Sequence, residues 1–353
     1  MLDTEKIQAL RGSLLDWYDR QGRSLPWRVR PEERAAGRVS DPYAVWLSEI
    51  MLQQTTVPHA TPYWFRFLEL WPSVHELAKA DREAVMREWA GLGYYARARN
   101  LHACANVVSS ELGGVFPSEL KNLLALPGIG EYTANAIRAA AFDLPASVVD
   151  GNVERVITRL ARVQTALPKS KPEIKALAGA IADPDRPGDY AQAIMDLGAT
   201  VCMPKSPNCL ICPWSEPCLA RAEGDMLRYP LKEKKKPKPV RRGTAWLVRR
   251  EGHIWLRTRP DNGLLGGMRE VPSTDWTEAD QHADDHTPPF PADWAERGEI
   301  RHIFTHFELR LSVREGKAHT SWEPEDGDWV DETELDDEAL PSVMRKVLKQ
   351  RSV

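Results

Sequence analysis

The chain has 353 residues, of which 42% are hydrophobic and 28% charged, and its formal net charge at pH 7 is −4. This length predicts two or three domains of roughly 100–200 residues each, and the composition is that of a globular protein with ample apolar content for a core. The net negative charge gives no indication of a nucleic-acid partner, although local patches rather than the overall sum decide phosphate binding.

The N-terminal segment is charged and amphipathic. It places Ile7, Leu10, Leu14 and Trp17 on one face of a predicted helix and contains no apolar signal core. No later segment is long enough to cross a membrane. We therefore expect a cytoplasmic protein with no membrane partner.

A buried carboxylate is predicted on the second helix. Asp41 suits the N-cap and Pro42 the first helical position, and the segment that follows, YAVWLSEIMLQQT, is apolar on nearly all sides. Glu49 lies in the middle of it, on the same face as Val45 and Leu52. Because glutamate is rarely buried without a partner or a task, Glu49 is a candidate functional residue. A partly exposed or salt-bridged glutamate is the alternative.

Further helical patterns lead to a glycine-rich loop. They cover residues 63–70, 81–89 and 96–112, and two more are predicted within 171–200. Between the second and third lies Gly91-Leu92-Gly93-Tyr94-Tyr95, in which glycines flank an apolar residue and two tyrosines follow. Such a loop tip is suited to wedging between DNA bases. Core packing of the tyrosines is the alternative.

The segment Leu126–Asn152 predicts a helix, a glycine turn and a second helix. Pro127 stops the incoming helix, while Gly128 and Gly130 permit a backbone path that side chains would block. Free N–H groups at the start of the second helix suit a phosphate oxygen. An apolar run after that helix ends at Asp150. An ordinary helical hairpin with a glycine loop is the alternative to a DNA-binding element.

Four of the five cysteines are clustered in the order Cys202-x6-Cys209-x2-Cys212-x5-Cys218. In a cytoplasmic protein such a cluster favours a metal site over a disulfide framework. A structural zinc site usually has two short knuckles, whereas only one C-x2-C occurs here. Four thiolates around a 4Fe–4S cluster are therefore the better interpretation, and zinc is the alternative.

The pattern changes after a basic segment. Residues 229–242 (YPLKEKKKPKPVRR) predict a linker. Residues 244–248 and 254–256 predict a hairpin, and residues 303–313 alternate like a single half-buried strand. A final helix is predicted at about 341–350, so the C-terminal part should be a small α+β domain.

The order and content of these motifs resemble the MutY family of adenine-DNA glycosylases over nearly the whole chain. The motifs that carry the resemblance are LPWR at 25–28, WLSEIMLQQT at 46–55, GLGYYARARNLH at 91–102, LPGIG at 126–130, VDGNVERV at 149–156, the four-cysteine loop, and GLLGGMREVP with FTHF beyond the linker. Members of that family remove an undamaged adenine mispaired with 8-oxoguanine by hydrolysing its N-glycosidic bond.

The resemblance implies a mostly α-helical protein. It would contain a two-lobed helix-hairpin-helix glycosylase region with an iron–sulfur cluster loop, followed by an α+β Nudix-like domain without the REx2EE glutamates of a pyrophosphatase. The implied parts are a catalytic region at 1–228 (six-helix barrel at about 30–145, iron–sulfur lobe from 1–29 and 146–228), a basic linker at 229–242 and a lesion-recognition domain at 243–353.

The resemblance also assigns catalytic roles. Glu49 would donate a proton to N7 of adenine, and Asp150 would stabilise the positive charge on the sugar or bind C1′ transiently. Asn152 and Tyr132 would orient this carboxylate and the water. The residues expected to line the adenine pocket are Trp27, Arg28, Leu52 and Gln192.

The expected partner is double-stranded DNA with an A:8-oxoguanine or A:G mispair, bound by a monomer. Gln54 and Tyr94 would occupy or wedge the disrupted stack, with Thr55 and Leu92 near the orphaned 8-oxoguanine. In the C-terminal recognition turn, where the family usually has Phe-Ser-His, Thr305 keeps the hydroxyl beside His306. The residues expected to meet DNA phosphates are Gly128, Gly130 and Lys205.

Two other functions fit the sequence less well. A bifunctional helix-hairpin-helix glycosylase and lyase for oxidised pyrimidines would carry a lysine at the start of the second hairpin helix to form a Schiff base, and this chain has Tyr132 there. A non-catalytic iron–sulfur DNA-binding protein would not need Glu49 and Asp150, and both are present.

Overall fold

The computed structural model describes residues 3–233, 237–260, 263–278, 287–336 and 338–351. The chain divides into two units, Met1–Ala80 with Asn100–Lys234, and Asp81–Arg99 with Lys235–Val353. Residues 234–236 of the predicted linker lie outside the described residues. The finer division of the catalytic region into a barrel and an iron–sulfur lobe stays a prediction.

Most of the regular structure up to residue 228 is α-helical, and no described helix is long and apolar enough to cross a membrane. The helices are α1 (Thr4–Gln21), α2 (Pro31–Ala35), α3 (Pro42–Leu52), α4 (Val57–Leu70), α5 (Val74–Lys79), α6 (Arg82–Glu88), α7 (Ala96–Glu111), α8 (Leu120–Leu124), α9 (Glu131–Phe142), α10 (Gly151–Leu160), α11 (Lys171–Ile181), α12 (Pro187–Asp196), α13 (Leu219–Ala222) and, near the C-terminal end, α14 (Ser342–Leu348).

Capping residues start two helices that matter for the site. Asp41 accepts the Tyr43 N–H at 2.9 Å, and Pro42 lies in the first turn of α3, as predicted. Asp150 caps α10 in the same way, by accepting the Val153 N–H at 2.7 Å. The caps therefore fix where two helices begin: α3, which carries Glu49, and α10, which starts directly after Asp150.

The predicted helix-hairpin-helix is formed by α8, the glycine turn and α9. Gly128 has a φ of +74°, and a Cβ there would lie 2.6 Å from Cβ of Asn100, so only glycine fits. Ile129 is buried between the two glycines and anchors the turn. Gly130 precedes α9 without a side-chain cap from the described residues, which leaves the first N–H groups for water or a phosphate.

Helix α1 packs against the helices that follow Asp150. They share one core of buried side chains from α1, α10, α11 and α12, which also includes Trp214 of the cysteine loop. The Trp214 indole donates a hydrogen bond to the Leu10 carbonyl oxygen at 2.9 Å. The N-terminal helix and the cysteine loop are thus held together by packing as well as by a buried hydrogen bond.

Small residues bring α9 and α12 close together. Ala139 packs with Ala191, and a Cβ at Gly188 would lie 2.6 Å from the Ala139 carbonyl oxygen. This approach places the Tyr132 hydroxyl 3.5 Å from the Met195 sulfur. Beyond α12 the helix widens into a π-helical turn, Leu197–Val201.

The second unit contains a mixed sheet in the order β3-β2-β1-β6-β5, with β4 beside β1 and β7 beside β2. Antiparallel β1 and β2 form the predicted hairpin, and β1 pairs in parallel with β6. α14 contributes to the core on the sheet. The strands are β1 (Val240–Arg250), β2 (His253–Thr258), β3 (Arg269–Glu270), β4 (Thr277–Glu278), β5 (Ala295–Ile303), β6 (Glu308–Lys317) and β7 (Asp328–Asp331).

The prediction of one strand over residues 303–313 is wrong. β5 ends at Ile303, β6 begins at Glu308, and the two strands pair antiparallel across a tight turn. The Phe304 N–H closes this turn on the Phe307 carbonyl oxygen at 2.9 Å. Apolar and polar residues alternate strictly only from Phe307 to Val313, but the turn contains no Gly, Pro, Asn or Asp, which is why the sequence pattern is read as a single strand.

Candidate active site and cysteine loop

One cavity of the first unit is lined by every residue predicted to act in catalysis or to bind adenine, and also by Thr55. Sequence reasoning missed Arg23 and Met195 in its wall. The predicted residues that line the cavity are Trp27, Arg28, Glu49, Leu52, Tyr132, Asp150, Asn152 and Gln192. The structure therefore brings together two carboxylates and a set of aromatic, apolar and amide groups from five separate segments of the chain. Their individual roles stay predictions.

Glu49 is a buried acid in this cavity, with 9% of its surface exposed. Burial raises the pKa of its carboxyl to about 7, although the hydrogen bond from Tyr132 and the charge of Arg28 act in the lowering direction. The negative charge of Asp150 raises it further. Glu49 therefore carries a proton in a large fraction of molecules at neutral pH.

Tyr132 lies in the first turn of α9 and points at Glu49. Its hydroxyl donates to Glu49 Oε2 at 3.1 Å. Burial raises the pKa of Tyr132 well above its usual value, so the phenol is a neutral hydrogen-bond donor. The interaction links the glycine-turn helix to the buried acid on α3.

Asp150 is held by two donors. Its Oδ1 accepts the Val153 N–H at 2.7 Å, and its Oδ2 accepts the side-chain amide of Asn152 at 2.8 Å. As the N-cap of α10, the carboxylate also lies at the positive end of the helix dipole. Its orientation is therefore fixed by the start of α10.

Arg155, one turn further along α10, holds Asn152 in turn. Its Nη2 donates to Asn152 Oδ1 at 2.8 Å and to the Gly198 carbonyl oxygen at 2.7 Å. Its Nε donates to the Cys202 carbonyl oxygen at 2.7 Å. A chain of hydrogen bonds thus runs from the cysteine loop through Arg155 and Asn152 to Asp150. Sequence reasoning missed Arg155, although its position in VDGNVERV places it on the Asn152 face of α10.

Except for Thr55, which lines the cavity, the residues predicted to contact DNA in the first unit are exposed. Gln54 is exposed and has a φ of +58°, directly after α3. Gly128, Gly130 and Lys205 are also exposed. These positions leave the predicted contacts free for a ligand.

In the second unit, Tyr94 is 54% exposed and adopts a φ of +50°, whereas the Leu92 side chain is buried. Arg97 holds this loop by donating to the carbonyl oxygens of Leu92 and Gly93 at 3.0 and 2.9 Å. Its guanidinium also lies over the Tyr94 ring, 5.7 Å from the centroid. Arg97 thus stabilises the loop that carries the exposed Tyr94.

Thr305 and His306 are exposed at the tip of the β5–β6 turn. Phe304 stacks on Trp276 with ring centroids 5.8 Å apart, and its carbonyl oxygen accepts a hydrogen bond from Lys238. These contacts hold the base of the turn, while Thr305 and His306 stay exposed at its tip.

The four clustered cysteines, Cys202, Cys209, Cys212 and Cys218, line one small cavity, and none forms a disulfide. Arg159, 2% exposed, ties the loop down by donating to backbone oxygens of Cys202, Met203 and Pro204. Within the described residues no three His, Cys, Asp or Glu side chains converge closely enough to hold a single metal ion. The four thiols are thus gathered around one cavity, in a loop that Arg159 holds in place.

Both parts of the chain match known protein families. Residues 47–182 match the family model described as HhH-GPD superfamily base excision DNA repair protein, and residues 244–350 match the NUDIX domain model. The human adenine DNA glycosylase is 35% identical over 98% of this chain and 74% of its own length. The adenine DNA glycosylase of Mycolicibacterium smegmatis is 41% identical over 60% of this chain and 69% of its own length.

Solved structures show the same fold. A thermostable thymine-DNA glycosylase superposes with a TM-score of 0.55 and 27% identity, covering 62% of this chain and 98% of its own. Endonuclease III in a non-covalent DNA complex gives a TM-score of 0.52 at 22% identity, over 64% of this chain and 99% of its own, which supports the fold alone. The chain belongs to the adenine DNA glycosylase family of helix-hairpin-helix base-excision repair enzymes, which hydrolyse N-glycosyl bonds.

Proposed function

We propose that this glycosylase removes adenine paired with 8-oxoguanine, and with guanine, using Glu49 as general acid and Asp150 to stabilise the sugar. The observation that carries the proposal is the single cavity in which a buried, hydrogen-bonded Glu49 and the helix-capping Asp150 occur together. Two carboxylates in different environments are the arrangement that glycoside hydrolysis requires.

Glu49 supplies the proton for the leaving group. Adenine leaves C1′ poorly as an anion, so protonation of N7 precedes or accompanies bond cleavage. A carboxyl with a pKa of about 7 is matched to this task, because it is protonated often enough at neutral pH and still gives up its proton.

Asp150 faces the positive charge that develops on the sugar as the bond breaks. It can stabilise the oxocarbenium ion or form a transient bond to C1′, which water then hydrolyses. Asn152 keeps one carboxylate oxygen in place through its 2.8 Å hydrogen bond. Neither step is possible inside the base stack, so the adenine is extruded into the cavity, which Trp27 and Leu52 help to line.

Lesion recognition is assigned to the exposed turn of the second unit. 8-Oxoguanine differs from guanine by an oxygen at C8 and a proton at N7, and the Thr305 hydroxyl and the His306 imidazole are suitable partners for both. Gln54 and Tyr94 are proposed to fill or wedge the disrupted stack, and Gly128 and the loop of Lys205 to meet phosphates.

The four cysteines are proposed to hold a 4Fe–4S cluster. Thiolates are the ligands such clusters use, and all four lie around one cavity without a disulfide. The bound cluster would organise the loop that carries Lys205. Metal analysis should find about four irons per chain. Cys209→Ser should lower the iron content, whereas Cys104→Ala, outside the loop, should not. One zinc and no iron would overturn this assignment.

The decisive experiment is excision from defined duplexes. Duplexes with A opposite 8-oxoguanine, A opposite G, and C opposite 8-oxoguanine are incubated with the protein and then treated with alkali. Strand breaks at the adenine of the first two, only after alkali, are expected. No break at either adenine, or breaks before alkali, would show that the proposed function is wrong.

A further inference from the structure

One fully buried carboxylate holds two arginines of the cavity wall. Asp196 ends α12 and is 0% exposed. Its Oδ2 accepts the Arg23 N–H and Arg28 Nη1, both at 2.8 Å. Its Oδ1 accepts Arg23 Nε at 2.8 Å and Arg28 Nη2 at 2.9 Å. The carboxylate is therefore held by both guanidinium groups and by the Arg23 backbone N–H.

Asp196 does not itself line the cavity, whereas Arg23 and Arg28 both do. It therefore acts on the cavity from behind, by orienting these two arginines and by offsetting part of their charge. Two guanidinium charges and one carboxylate leave a surplus of one positive charge in this part of the wall. Arg28 is almost buried, with 7% of its side chain exposed, so its direction is set by Asp196 rather than by solvent.

We propose that Asp196 is a positioning residue for adenine excision: it aims Arg28 along the cavity wall and limits the surplus positive charge facing Glu49. The inference rests on the proposed acid role of Glu49. The groups that face Glu49 from the elements around it are Tyr132 on α9, Asp150 at the start of α10 and Arg28 in the segment after α1. Arg23, in that same segment, is the other charged residue in the cavity wall.

The charge balance gives opposite predictions for two single variants. Asp196→Asn removes the negative charge, so the positive charge near Glu49 increases and its ionised form is favoured. Arg23→Gln removes a positive charge and favours the protonated form. Arg23 is 30% exposed at its side chain, so this second variant tests the idea even if the buried Asp196 variant folds poorly.

The readout is the pH dependence of the single-turnover rate, which falls as Glu49 loses its proton. For Asp196→Asn the falling limb should move to lower pH, by on the order of one unit, with about a tenfold lower rate at pH 8. For Arg23→Gln it should move to higher pH. The double variant Arg23→Gln/Asp196→Asn restores the net charge, and its limb should return toward that of the wild type.

Asp189, on the same helix, is the matched control. It is 4% exposed and pairs with Arg186 at 2.8 Å, but it does not line the cavity. Asp189→Asn should lower the free energy of unfolding without shifting the falling limb of the single-turnover rate against pH. A limb that stays in place in both Asp196→Asn and Arg23→Gln, or moves equally in Asp189→Asn, overturns the proposal. If Glu49→Gln keeps its activity, the proposed function itself fails, which is a separate outcome.

Discussion

The Tyr132 hydroxyl donates a hydrogen bond to Glu49 Oε2 at 3.1 Å. This bond is made to the acid's charged form and therefore lowers the pKa of Glu49, against the raising effect of burial. It places the buried acid near neutrality and connects the glycine-turn helix to the chemistry. Because the phenol stays neutral, only Glu49 of this pair changes its protonation state near neutral pH.

Tyr132→Phe should therefore move the pH profile upward. Without the hydroxyl the pKa of Glu49 rises, and the falling limb of the single-turnover rate shifts to higher pH. The plateau rate should also fall, because the carboxyl is no longer oriented. The measurement is the rate of adenine release between pH 5 and about 9.

Tyr190→Phe is the control for this substitution. Tyr190 is also buried, its hydroxyl has no hydrogen-bond partner among the described residues, and it does not line the cavity. Its profile should match that of the wild type. A Tyr132→Phe profile with an unmoved or lowered limb would contradict the assigned role of the hydrogen bond.

Glu49→Gln should abolish excision while raising stability above neutral pH. The folded pKa of about 7 lies above the ordinary value of 4.5. The stability that the neutral acid contributes is thus complete below about pH 4.5 and is lost as pH rises to about 7. The amide avoids this loss, so the variant should gain about 3 kcal/mol relative to wild type at pH 8 and little at pH 4–5.

Denaturant unfolding of both proteins at the two pH values checks this prediction, alongside single-turnover excision. Glu315 provides a contrast, because it is buried between Arg249 and Arg297 as a paired carboxylate. Glu315→Gln should lose stability. Retained excision by Glu49→Gln would remove Glu49 from the acid role, and equal stability at pH 8 would show that its burial is not costly.

Local sequence signals were enough to predict much of the fold and the acids. Asp41 and Pro42 predict the start of α3, and an acid amid apolar residues singles out Glu49. The start of α4 was missed by six residues, because Pro58 and Pro62 are typical of breaks. Pro58 lies in the first turn of α4, where the backbone N–H that proline lacks would have no helical partner. Pro62 lies inside α4 and removes one backbone hydrogen bond, a loss that the packing of the helix offsets.

The supporting residues could not be predicted in this way. Arg28 and Asp196 are 168 residues apart, and Arg155 reaches the Gly198 carbonyl across 43 residues. No local pattern marks such pairs, since they are created by the packing of distant helices. The β5–β6 turn was missed for a different reason: Thr305 and His306 are not typical turn residues, and the alternation that begins at Phe307 is read as extending back to Ile303.

Arg155→Lys should slow the chemical step. Lysine keeps the charge but cannot make the three separate hydrogen bonds to Asn152, Gly198 and Cys202. With Asn152 released, Asp150 loses a fixed donor, and we expect about a 100-fold lower single-turnover rate. DNA binding should change less.

Iron content measured on the same preparation is the control, because Arg155 also contacts the cysteine loop. A rate loss that merely follows iron loss would place the effect in the loop rather than at Asn152. A normal rate with full iron would show that Asn152 needs no support from Arg155.

The enzyme should not form a Schiff base with DNA. Lysine is absent from the described residues that line the cavity, and Lys175 is paired with Glu131 outside it. Borohydride should therefore trap little covalent complex on an A:8-oxoguanine duplex. Tyr132→Lys places an amine in the cavity and serves as the positive control for trapping. Efficient trapping by the wild type would instead indicate a lyase.

The last prediction assigns discrimination between 8-oxoguanine and guanine to the β5–β6 turn. Removing the whole C-terminal domain would not test this turn alone. Residues 81–99, which carry the proposed wedge Tyr94, belong to the same unit and would lose the rest of it. The double variant Thr305→Ala/His306→Ala removes only the hydroxyl and the imidazole. The ratio of single-turnover rates for A:8-oxoguanine and A:G should fall by about 5- to 150-fold for each of these two groups, the equivalent of about 1–3 kcal/mol. The A:G rate itself should change little, since Glu49 and Asp150 are intact.

The chain offers a matched control in the same domain. His319 and Thr320 are adjacent, exposed and of the same residue types, but lie after β6. His319→Ala/Thr320→Ala should leave the ratio of the two rates at its wild-type value. If the Thr305→Ala/His306→Ala protein also keeps that ratio, the turn does not recognise the lesion. Discrimination would then have to come from residues such as Thr55, which lies in the wall of the catalytic cavity.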